Sequence, residues 1–265
     1  VERAPRIVVI GAGGNGSEVV DALASFHHAL RSLGHPEGLE VTVIDDAIVR
    51  EPNLVRQRFW PCDLGQFKAI SLVNRYNLML GTSWEALPFR FPSSETTEVM
   101  RAADLIISAV DLSSARRAIA SSSVLSKHCM WLDLGNEARH GQVVFGAAHK
   151  DRRGLYPNVM DAYPEIETLE DDTKKSCSVA EAIRSQDCLV NRAVTTAGMS
   201  IVWELLRTGE TDKHWITVDL ASGCQNTFPS PPLRDAVRSR AIASELIEAL
   251  LHLRYEVCGF DFEDI

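Results

Sequence analysis

The sequence RIVVIGAGGNG, residues 6–16, is the stretch that decides the fold. After Arg6, the four residues at 7–10 are all apolar and β-branched, which predicts a buried strand. Four glycines follow at once: Gly11, Gly13, Gly14 and Gly16. Apolar residues then recur at helical spacing over 17–30. A strand, a GxGxxG turn and a helix in this order predict a dinucleotide-type phosphate loop, because the glycines let backbone N–H groups approach phosphate oxygens at the helix N-terminus.

The rest of the chain continues the alternation of strands and helices. The apolar pattern predicts strands at 39–44, 84–91, 104–110, 129–134, 141–148 and 214–220, and helices at 65–80, 112–125, 178–206 and 241–255. This alternation predicts an α/β fold, a Rossmann-like doubly wound and mainly parallel sheet with helices on both faces and a C-terminal extension.

We interpret residues 1–265 as one domain with three parts. A nucleotide-binding core spans 1–150, and 178–265 holds C-terminal helices and a strand, with a proline-rich turn at 225–232. Between them, 151–177 is charged and lacks a period, which predicts a mobile, exposed crossover-type connection.

Composition excludes several classes of protein. The net charge of −9 argues against a broad nucleic-acid surface. The longest apolar runs are strand-sized, whereas a membrane span needs about 20 residues. The six cysteines are scattered without a CxxC pair, which indicates a reducing cytoplasm. Because the first strand begins almost at once, we expect the numbering to start inside a longer gene product.

The stretch Val41–Lys68 carries the groups suited to a nucleotide. The strand at its start ends in Asp45, and a strand-end carboxylate can hold a ribose. Arg56 and Lys68 supply fixed and mobile positive charge for a polyphosphate. Asp45 alone fits a nicotinamide enzyme equally well, but a dehydrogenase does not usually continue into Asn53 and the charged residues after it.

A second carboxylate, Asp111, follows the buried strand predicted at 104–110. Ligands of doubly wound sheets bind at the carboxyl ends of strands, so Asp45 and Asp111 could face one crevice. A carboxylate in this place also suits a hard metal ion.

These elements, taken in order, resemble a known family. The glycine turn, Asp45, the Asn53-Leu-x-Arg-Gln57 run, the Gly65-x-x-Lys68 run and Asp111 are similar to those of the ThiF/MoeB/HesA superfamily, the adenylating module shared with ubiquitin-activating enzymes. The resemblance covers residues 6–150 and continues more loosely to about 220. The run SCSVAEA at 176–182, with Gln186-Asp and Asn191 after it, looks closest to the ThiF proteins of the bacterial PRTRC cassette.

The resemblance implies an adenylyltransferase that uses ATP and magnesium. A carboxylate, usually the C-terminal glycine of a small ubiquitin-like protein, would attack the α-phosphorus of ATP. The glycines would wrap the phosphates, Asp45 would hold the ribose and Asp111 would position the magnesium ion. The polyphosphate would be bound by Asn53, Arg56 and Lys68, with Gln57 as a hydrogen-bond partner. The resemblance further implies a homodimer.

The chain departs from this family at three places. Ala47 stands where many relatives carry a second aspartate, and Asp46 is adjacent instead. Relatives also supply an arginine from a helix of the partner subunit, whereas only 1–5 precede the first strand here and Arg3 is a poor substitute. The paired CxxC zinc site of many bacterial members is missing, so we expect no structural zinc.

Some relatives capture the adenylate as a thioester, and Cys177 is the candidate here. It lies beside Lys174 and Lys175 and just before a predicted helix, and both features depress a thiol pKa. An incidental loop cysteine is the other interpretation. Cys188 lies within the long helical pattern and is expected in the core. Arg116-Arg117, shortly after Asp111, could reach phosphates or an acidic loop of the partner, but we expect the pair on a solvated helix face.

Two other functions remain open from the sequence. An NAD(P)-dependent oxidoreductase is supported by the glycine turn and Asp45. A non-catalytic nucleotide-binding scaffold is supported by Ala47 and by the missing arginine helix. Adenylation of a small carboxylate or a tRNA base is a further variant.

Overall fold

The computed structural model describes residues 3–171 and 186–229. Its strands, in chain order, are β1 Arg6–Ile10, β2 Glu40–Ile44, β3 Glu85–Leu87, β4 Leu105–Ser108, β5 Met130–Asn136, β6 His140–Ala147, β7 Lys213–Asp219 and β8 Cys224–Pro229. Its α-helices are α1 Gly14–Ser32, α2 Lys68–Leu80, α3 Thr97–Ala102, α4 Ser113–Ala120, α5 Val159–Ala162 and α6 Val190–Thr208. Short 3-10 helices lie at Glu51–Val55, Pro61–Asp63, Lys150–Arg152 and Pro164–Glu167. None of these described helices is both long and apolar enough to cross a lipid bilayer.

The strands form one sheet in the order β3-β2-β1-β4-β5-β6-β7-β8. Neighbours from β3 to β5 pair in parallel, and neighbours from β5 to β8 pair antiparallel. Ile10 aligns with Ile44 on one side and with Ser108 on the other, so three strands end at one level. The chain reverses its direction of winding between β1 and β4, the point where doubly wound sheets bind their ligands.

Alternate residues of β1 enter two different cores. Ile7 and Val9 pack in the larger core, which also holds buried residues of α1, α2 and α6. Val8 and Ile10 pack in the second core with residues of α3, α4 and α5. Because neighbouring side chains of a strand point to opposite faces, helices cover both faces of the sheet. The predicted α/β fold with a mainly parallel sheet is confirmed.

The connection predicted to be exposed and mobile at 151–177 is folded in its described part. Met160, in α5, and Ile166 are buried in the second core. Asn158 holds the segment in place, because its Oδ1 accepts from Met160 N–H at 3.0 Å and its Nδ2 donates to a β6 carbonyl at 2.8 Å. The predicted exposure was wrong for these residues, because a few apolar side chains among the charged ones pack against the sheet. Residues 172–177 lie outside the described residues.

The C-terminal elements also differ from prediction. The turn predicted at 225–232 is instead β8 as far as Pro229, because this segment pairs antiparallel with β7. The helix predicted at 178–206 is described from Val190 to Thr208 as α6. Residues 178–185 and the helix predicted at 241–255 lie outside the described part of the chain.

Candidate active site

The segment between β2 and α2 folds back on itself. Gly65 N–H donates to the Val49 carbonyl at 3.0 Å, and Lys68 N–H donates to the Ala47 carbonyl at 2.9 Å. Gly65 has φ +81°, a left-handed conformation that favours glycine. The fold-back returns Lys68, at the start of α2, to the carboxyl end of β2.

Arg58 and Phe59 attach this segment to the body of the protein. The Arg58 guanidinium lies 2.8 Å from Glu18 and 3.1 Å from Asp21, both on α1. Phe59 is 1% exposed and belongs to the larger core. Arg56 lies inside the fold-back, two residues before this anchor, and its position is therefore fixed relative to α1 and the core.

Asp63 attaches the same segment to α2. Its carboxylate accepts hydrogen bonds from the Ser71 hydroxyl, from Trp60 N–H at 2.7 Å and from Arg75 at 2.6 Å. Burial acts to raise the pKa of Asp63, but these donors outweigh it and hold the pKa below its ordinary value. Asp63 is therefore an ionised anchor beneath the site.

A cavity of about 680 Å³ lies at the carboxyl ends of the parallel strands. Seven of the residues predicted to form the site border it: Gly13, Gly14, Asn53, Arg56, Gln57, Lys68 and Asp111. Several residues without a predicted site role also border it: Asn15, Asp46, Arg50, Asn136, Glu137, Gln186 and Asn191. Parallel strand ends and the first turns of α1 and α2 thus bring together groups that are far apart in the sequence.

Gly11 and Gly16, predicted to bind the cofactor, do not border the cavity in the structure. Gly11 has φ +93°, and a Cβ at Gly16 would overlap the carbonyl oxygen of Gly11. These two glycines therefore permit the close turn between β1 and α1, while Gly13 and Gly14 present backbone to the cavity.

Asp45, predicted to hold a ribose, also lies outside the cavity lining. Its Oδ2 accepts from Ala12 N–H at 2.6 Å and its Oδ1 accepts from Ala47 N–H at 2.8 Å. Asp45 therefore connects the glycine turn to the end of β2. Asp46 is the carboxylate at this strand end that borders the cavity.

Arg56 and Lys68 place positive charge at the cavity wall. Arg56 Nη1 donates to Gln186 Oε1, while its buried Nε has no hydrogen-bond partner among the described residues. Burial is the main cause that lowers the pKa of Arg56, and nearby Cys188 and Asp111 oppose it. Lys68 is 9% exposed.

Asp111 faces the two cations from the end of β4. The Asp111 side chain is exposed in the cavity, but the protein around the cavity still desolvates its carboxyl in part and raises its pKa, and the charge of Asp133 adds to this effect. Arg116, Arg56 and Lys68 act in the opposite direction. The cavity thus holds a carboxylate within electrostatic reach of cations on two other segments.

Arg116 and Arg117 do not form the solvated face that we expected. Arg116 Nε lies 2.8 Å from Asp133 on β5, and the two side chains are 11% and 1% exposed. Ser108 Oγ donates to the same carboxylate oxygen at 2.5 Å. Arg117 donates to the Ile166 carbonyl at 2.7 Å. The expectation was wrong because α4 packs between β5 and the connection, which its own sequence does not reveal.

Two cysteines were singled out from the sequence, Cys177 and Cys188, and the structure describes only Cys188. Cys177 falls within 172–185, outside the described residues. Cys188 is exposed rather than in the core, because α6 begins only at Val190. Over the described ranges, no group of three or more His, Cys, Asp or Glu side chains gathers in a way that could hold a metal ion.

The comparison with known families covers almost the whole chain. The profile of the ThiF family matches residues 2–250. The chain belongs to the ThiF family. This confirms the resemblance to the ThiF/MoeB/HesA superfamily found in the sequence. A curated relative of this ThiF-family chain is the adenylyltransferase and sulfurtransferase UBA4 of Yarrowia lipolytica, which is 31% identical over 127 residues, 47% of this chain and 29% of that protein.

Solved structures share the fold of this ThiF-family protein. PaaA aligns with a TM-score of 0.58 at 15% identity, and Escherichia coli MccB with MccA-N7isoASN aligns with a TM-score of 0.56 at 14% identity. MccB with ATP aligns with a TM-score of 0.52 at 14% identity. Each alignment covers 85% of this chain and 64% of the other, so the chain spans less than two thirds of those proteins.

Proposed function

We propose that this protein is an adenylyltransferase that activates the C-terminal carboxylate of a small ubiquitin-like protein with ATP. One observation carries the proposal: Arg56, Lys68 and Asp111, from three separate segments, border the same cavity as the glycine turn. Membership of the ThiF family and the similarity to UBA4 support this class of activity.

The proposed reaction transfers the AMP moiety of ATP to the carboxylate. A carboxylate oxygen attacks the α-phosphorus, and the bond from that phosphorus to the oxygen bridging to the β-phosphate breaks. The products are an acyl-adenylate and pyrophosphate, which keeps the electron pair of the broken bond. This transfer needs in-line placement and neutralisation of the phosphate charge rather than covalent help from the enzyme.

Arg56 and Lys68 supply that neutralisation. The orphaned Nε of Arg56 is a buried donor at the cavity, and an anion would satisfy it. A guanidinium suits a bidentate phosphate contact, and an ammonium is a mobile point charge. Asn53 and Gln57 border the same wall, where they would complete the binding of the polyphosphate.

Asp111 fits the magnesium that ATP carries. Protein magnesium sites of this kind use one or two carboxylates together with substrate phosphates and water, so a single cavity-lining aspartate is a sufficient protein ligand. When bound, the ion would neutralise negative charge on the phosphates. Asp111 would fix its position relative to Lys68.

We assign the ribose contact to Asp46 rather than to Asp45. Both oxygens of Asp45 already accept backbone N–H groups, whereas the Asp46 carboxylate borders the cavity one residue later. Asp45 keeps a positioning role, because it joins the turn that would hold the phosphates to the strand that would hold the ribose.

We also propose a homodimer in the cytoplasm and a ubiquitin-like partner of the PRTRC type, as the sequence resemblance implies. Exposed apolar side chains support a protein-binding surface beside the cavity. Ile48 borders the cavity and pairs with Phe67, and both are 40% exposed, while Trp60 is 56% exposed. After adenylation, the Cys177 thiolate would attack the carbonyl carbon of the acyl-adenylate and form a thioester, and AMP would leave with the electron pair of the broken carbon–oxygen bond.

Pyrophosphate exchange tests the proposed reaction. With ATP and a PRTRC-type ubiquitin-like protein ending in glycine, labelled pyrophosphate should enter ATP. Lys68→Met should lower the exchange rate by about 10²-fold or more, as loss of one charge-stabilising group at a transition state does. Lys127→Met is the matched control, because this exposed lysine pairs with Asp151 away from the cavity and should leave exchange unchanged.

Asp111→Asn should likewise reduce exchange strongly while ATP binding weakens only in part. Full exchange by Lys68→Met would contradict the assigned site. Absence of exchange with every ubiquitin-like protein tested, together with NADH binding in the cavity, would favour an oxidoreductase. ATP binding without exchange would favour a scaffold.

A further inference from the structure

Three asparagines from three elements meet at the cavity wall. Asn15 lies in the first turn of α1, Asn136 at the end of β5 and Asn191 in the first turn of α6. Asn15 Nδ2 donates to Asn136 Oδ1 at 2.8 Å. Asn191 Nδ2 lies 3.0 Å from Asn15 Oδ1 and 3.1 Å from Asn136 Oδ1. All three side chains border the cavity.

The direction of each amide in this cluster is fixed by one backbone carbonyl. Asn136 Nδ2 donates to the Glu137 carbonyl at 3.1 Å, and a carbonyl can only accept. Asn136 therefore turns its Oδ1 to the other two asparagines, which must present Nδ2 to it. Reversing the Asn191 amide would place its oxygen against two other oxygens.

This arrangement leaves Asn191 Oδ1 without a donor. Asn191 is 5% exposed, and its Oδ1 is buried without a hydrogen-bond partner among the described residues. A buried acceptor without a donor is unfavourable, because it has lost its hydrogen bonds to water and gained none in return. The bound ligand is thus the natural source of a donor.

Phosphate is the wrong chemistry for this position, because phosphate oxygens accept hydrogen bonds just as the Asn191 oxygen does. The missing group is an N–H or an O–H. The amide lies close to the phosphate turn, since a Cβ placed at Gly14 would overlap it.

Sheet order separates the two ends of the ligand. Asp46 follows β2, whereas Asn136 ends β5, and β1 and β4 lie between them. With the nucleoside at the Asp46 side and the phosphates over the glycine turn, the asparagine cluster lies away from the N–H and O–H donors of the adenine and the ribose. The donor that the cluster lacks therefore belongs to the other substrate, the acyl group.

We infer that Asn191 Oδ1 accepts the N–H of the terminal residue of the acyl substrate. In a polypeptide C-terminus this N–H lies on the carbon next to the carboxylate. Asn191 therefore selects a carboxylate that belongs to an N-acylated residue, which is a protein or peptide end, over a simple carboxylate. The inference rests on the proposed adenylation function.

Two stable acyl-adenylate mimics test the inference without the natural partner. One is 5′-O-(N-acetylglycyl)sulfamoyladenosine, and the other replaces the glycine N–H with an ester oxygen. Isothermal titration calorimetry should show that the wild-type protein binds the amide about tenfold more tightly than the ester, the effect of one buried hydrogen bond. In Asn191→Ala the two should bind equally.

Thr195→Val is the matched control, because Thr195 donates to the Asn15 carbonyl at 3.3 Å from the next turn of α6 and does not border the cavity. This variant should keep the preference for the amide. Equal binding by the wild-type protein, persistence of the preference in Asn191→Ala or its loss in Thr195→Val would overturn the inference.

Unacylated 5′-O-sulfamoyladenosine separates this failure from that of the proposed function. It should bind the wild-type protein and Asn191→Ala alike, which also shows that the variant retains its site. If neither this compound nor ATP binds the wild-type protein, the adenylation function itself fails. If both bind but the amide is not preferred, only the role of Asn191 fails.

Discussion

Replacing Arg116 with methionine leaves a buried carboxylate without its cation. Asp133 is 1% exposed, Arg116 Nε lies 2.8 Å from its Oδ2, and Ser108 is its other donor. The second carboxylate oxygen, Oδ1, has no partner among the described residues. The negative charge of Asp133 in the Arg116→Met variant would therefore rest on one hydroxyl.

The cost of this change follows from the burial of the pair. Removing one partner of a buried ion pair lowers the free energy of unfolding by about 3–5 kcal/mol. For a protein of this size each kcal/mol corresponds to roughly 2–4 °C in melting temperature. We therefore expect Arg116→Met to melt at least about 6 °C below the wild type at pH 7.

Differential scanning calorimetry of a variant series checks this reasoning. Arg116→Met combined with Asp133→Asn removes the orphaned charge and should regain about 2 kcal/mol of the loss. Arg117→Met on the same helix is the control, and it should cost about 1 kcal/mol because only hydrogen bonds to carbonyls are lost. A melting temperature within about 2 °C of wild type for Arg116→Met, or a double variant no more stable than the single one, would refute the account.

Three further predictions concern stability and the cysteines. Because the pKa of Asp63 is held below its ordinary value, the stability that its ionised form contributes is fully present at neutral pH and is lost as the pH falls through the lowered pKa of the folded state, so the gap in free energy of unfolding between wild type and Asp63→Asn in urea titrations should narrow as the pH falls below about 4; a constant gap would disprove this. Gly16→Ala should lower the free energy of unfolding by about 3 kcal/mol or more, since its Cβ would overlap a carbonyl oxygen, whereas Gly13→Ala meets no neighbour within 4 Å and should cost far less. With ATP and the ubiquitin-like protein, a thiol-sensitive adduct should form on the enzyme and disappear in Cys177→Ala; an adduct that persists there but vanishes in Cys188→Ala would assign the thioester to the exposed Cys188.

The sequence predicted the sheet where strands are buried on both faces. The runs that became β1, β2 and β4 are continuous and β-branched, so their identity is a local property. The sequence did not predict β8, because its six residues are exposed, several of them are polar and a proline-rich segment follows. Only the pairing with β7 makes them a strand. The β8 strand therefore depends on a tertiary contact rather than on its own sequence.

The residues of the candidate site also differ in whether a local sequence signal reveals them. Gly13, Gly14, Arg56, Lys68 and Asp111 follow recognisable strand ends and motifs, and the structure brings them to one cavity.

The asparagine cluster could not be predicted from pattern alone. Asn15 and Asn191 are 176 positions apart, and an asparagine carries no periodic signal. The sequence marks Asn15 and Asn191 only as polar residues near the start of amphipathic helices, where polar residues are common. Arg116 was misjudged for a related reason, since its partner Asp133 lies on a strand that helix periodicity does not reveal.

The most direct test of the central claim is which bond of ATP breaks. The protein should be incubated with ATP, magnesium and a ubiquitin-like protein ending in glycine, and the products analysed by mass spectrometry. We predict that one AMP is added to the C-terminal carboxylate of the ubiquitin-like protein and that pyrophosphate is released, and that Lys68→Met loses both products. Formation of ADP and phosphate with an unmodified ubiquitin-like protein would contradict it.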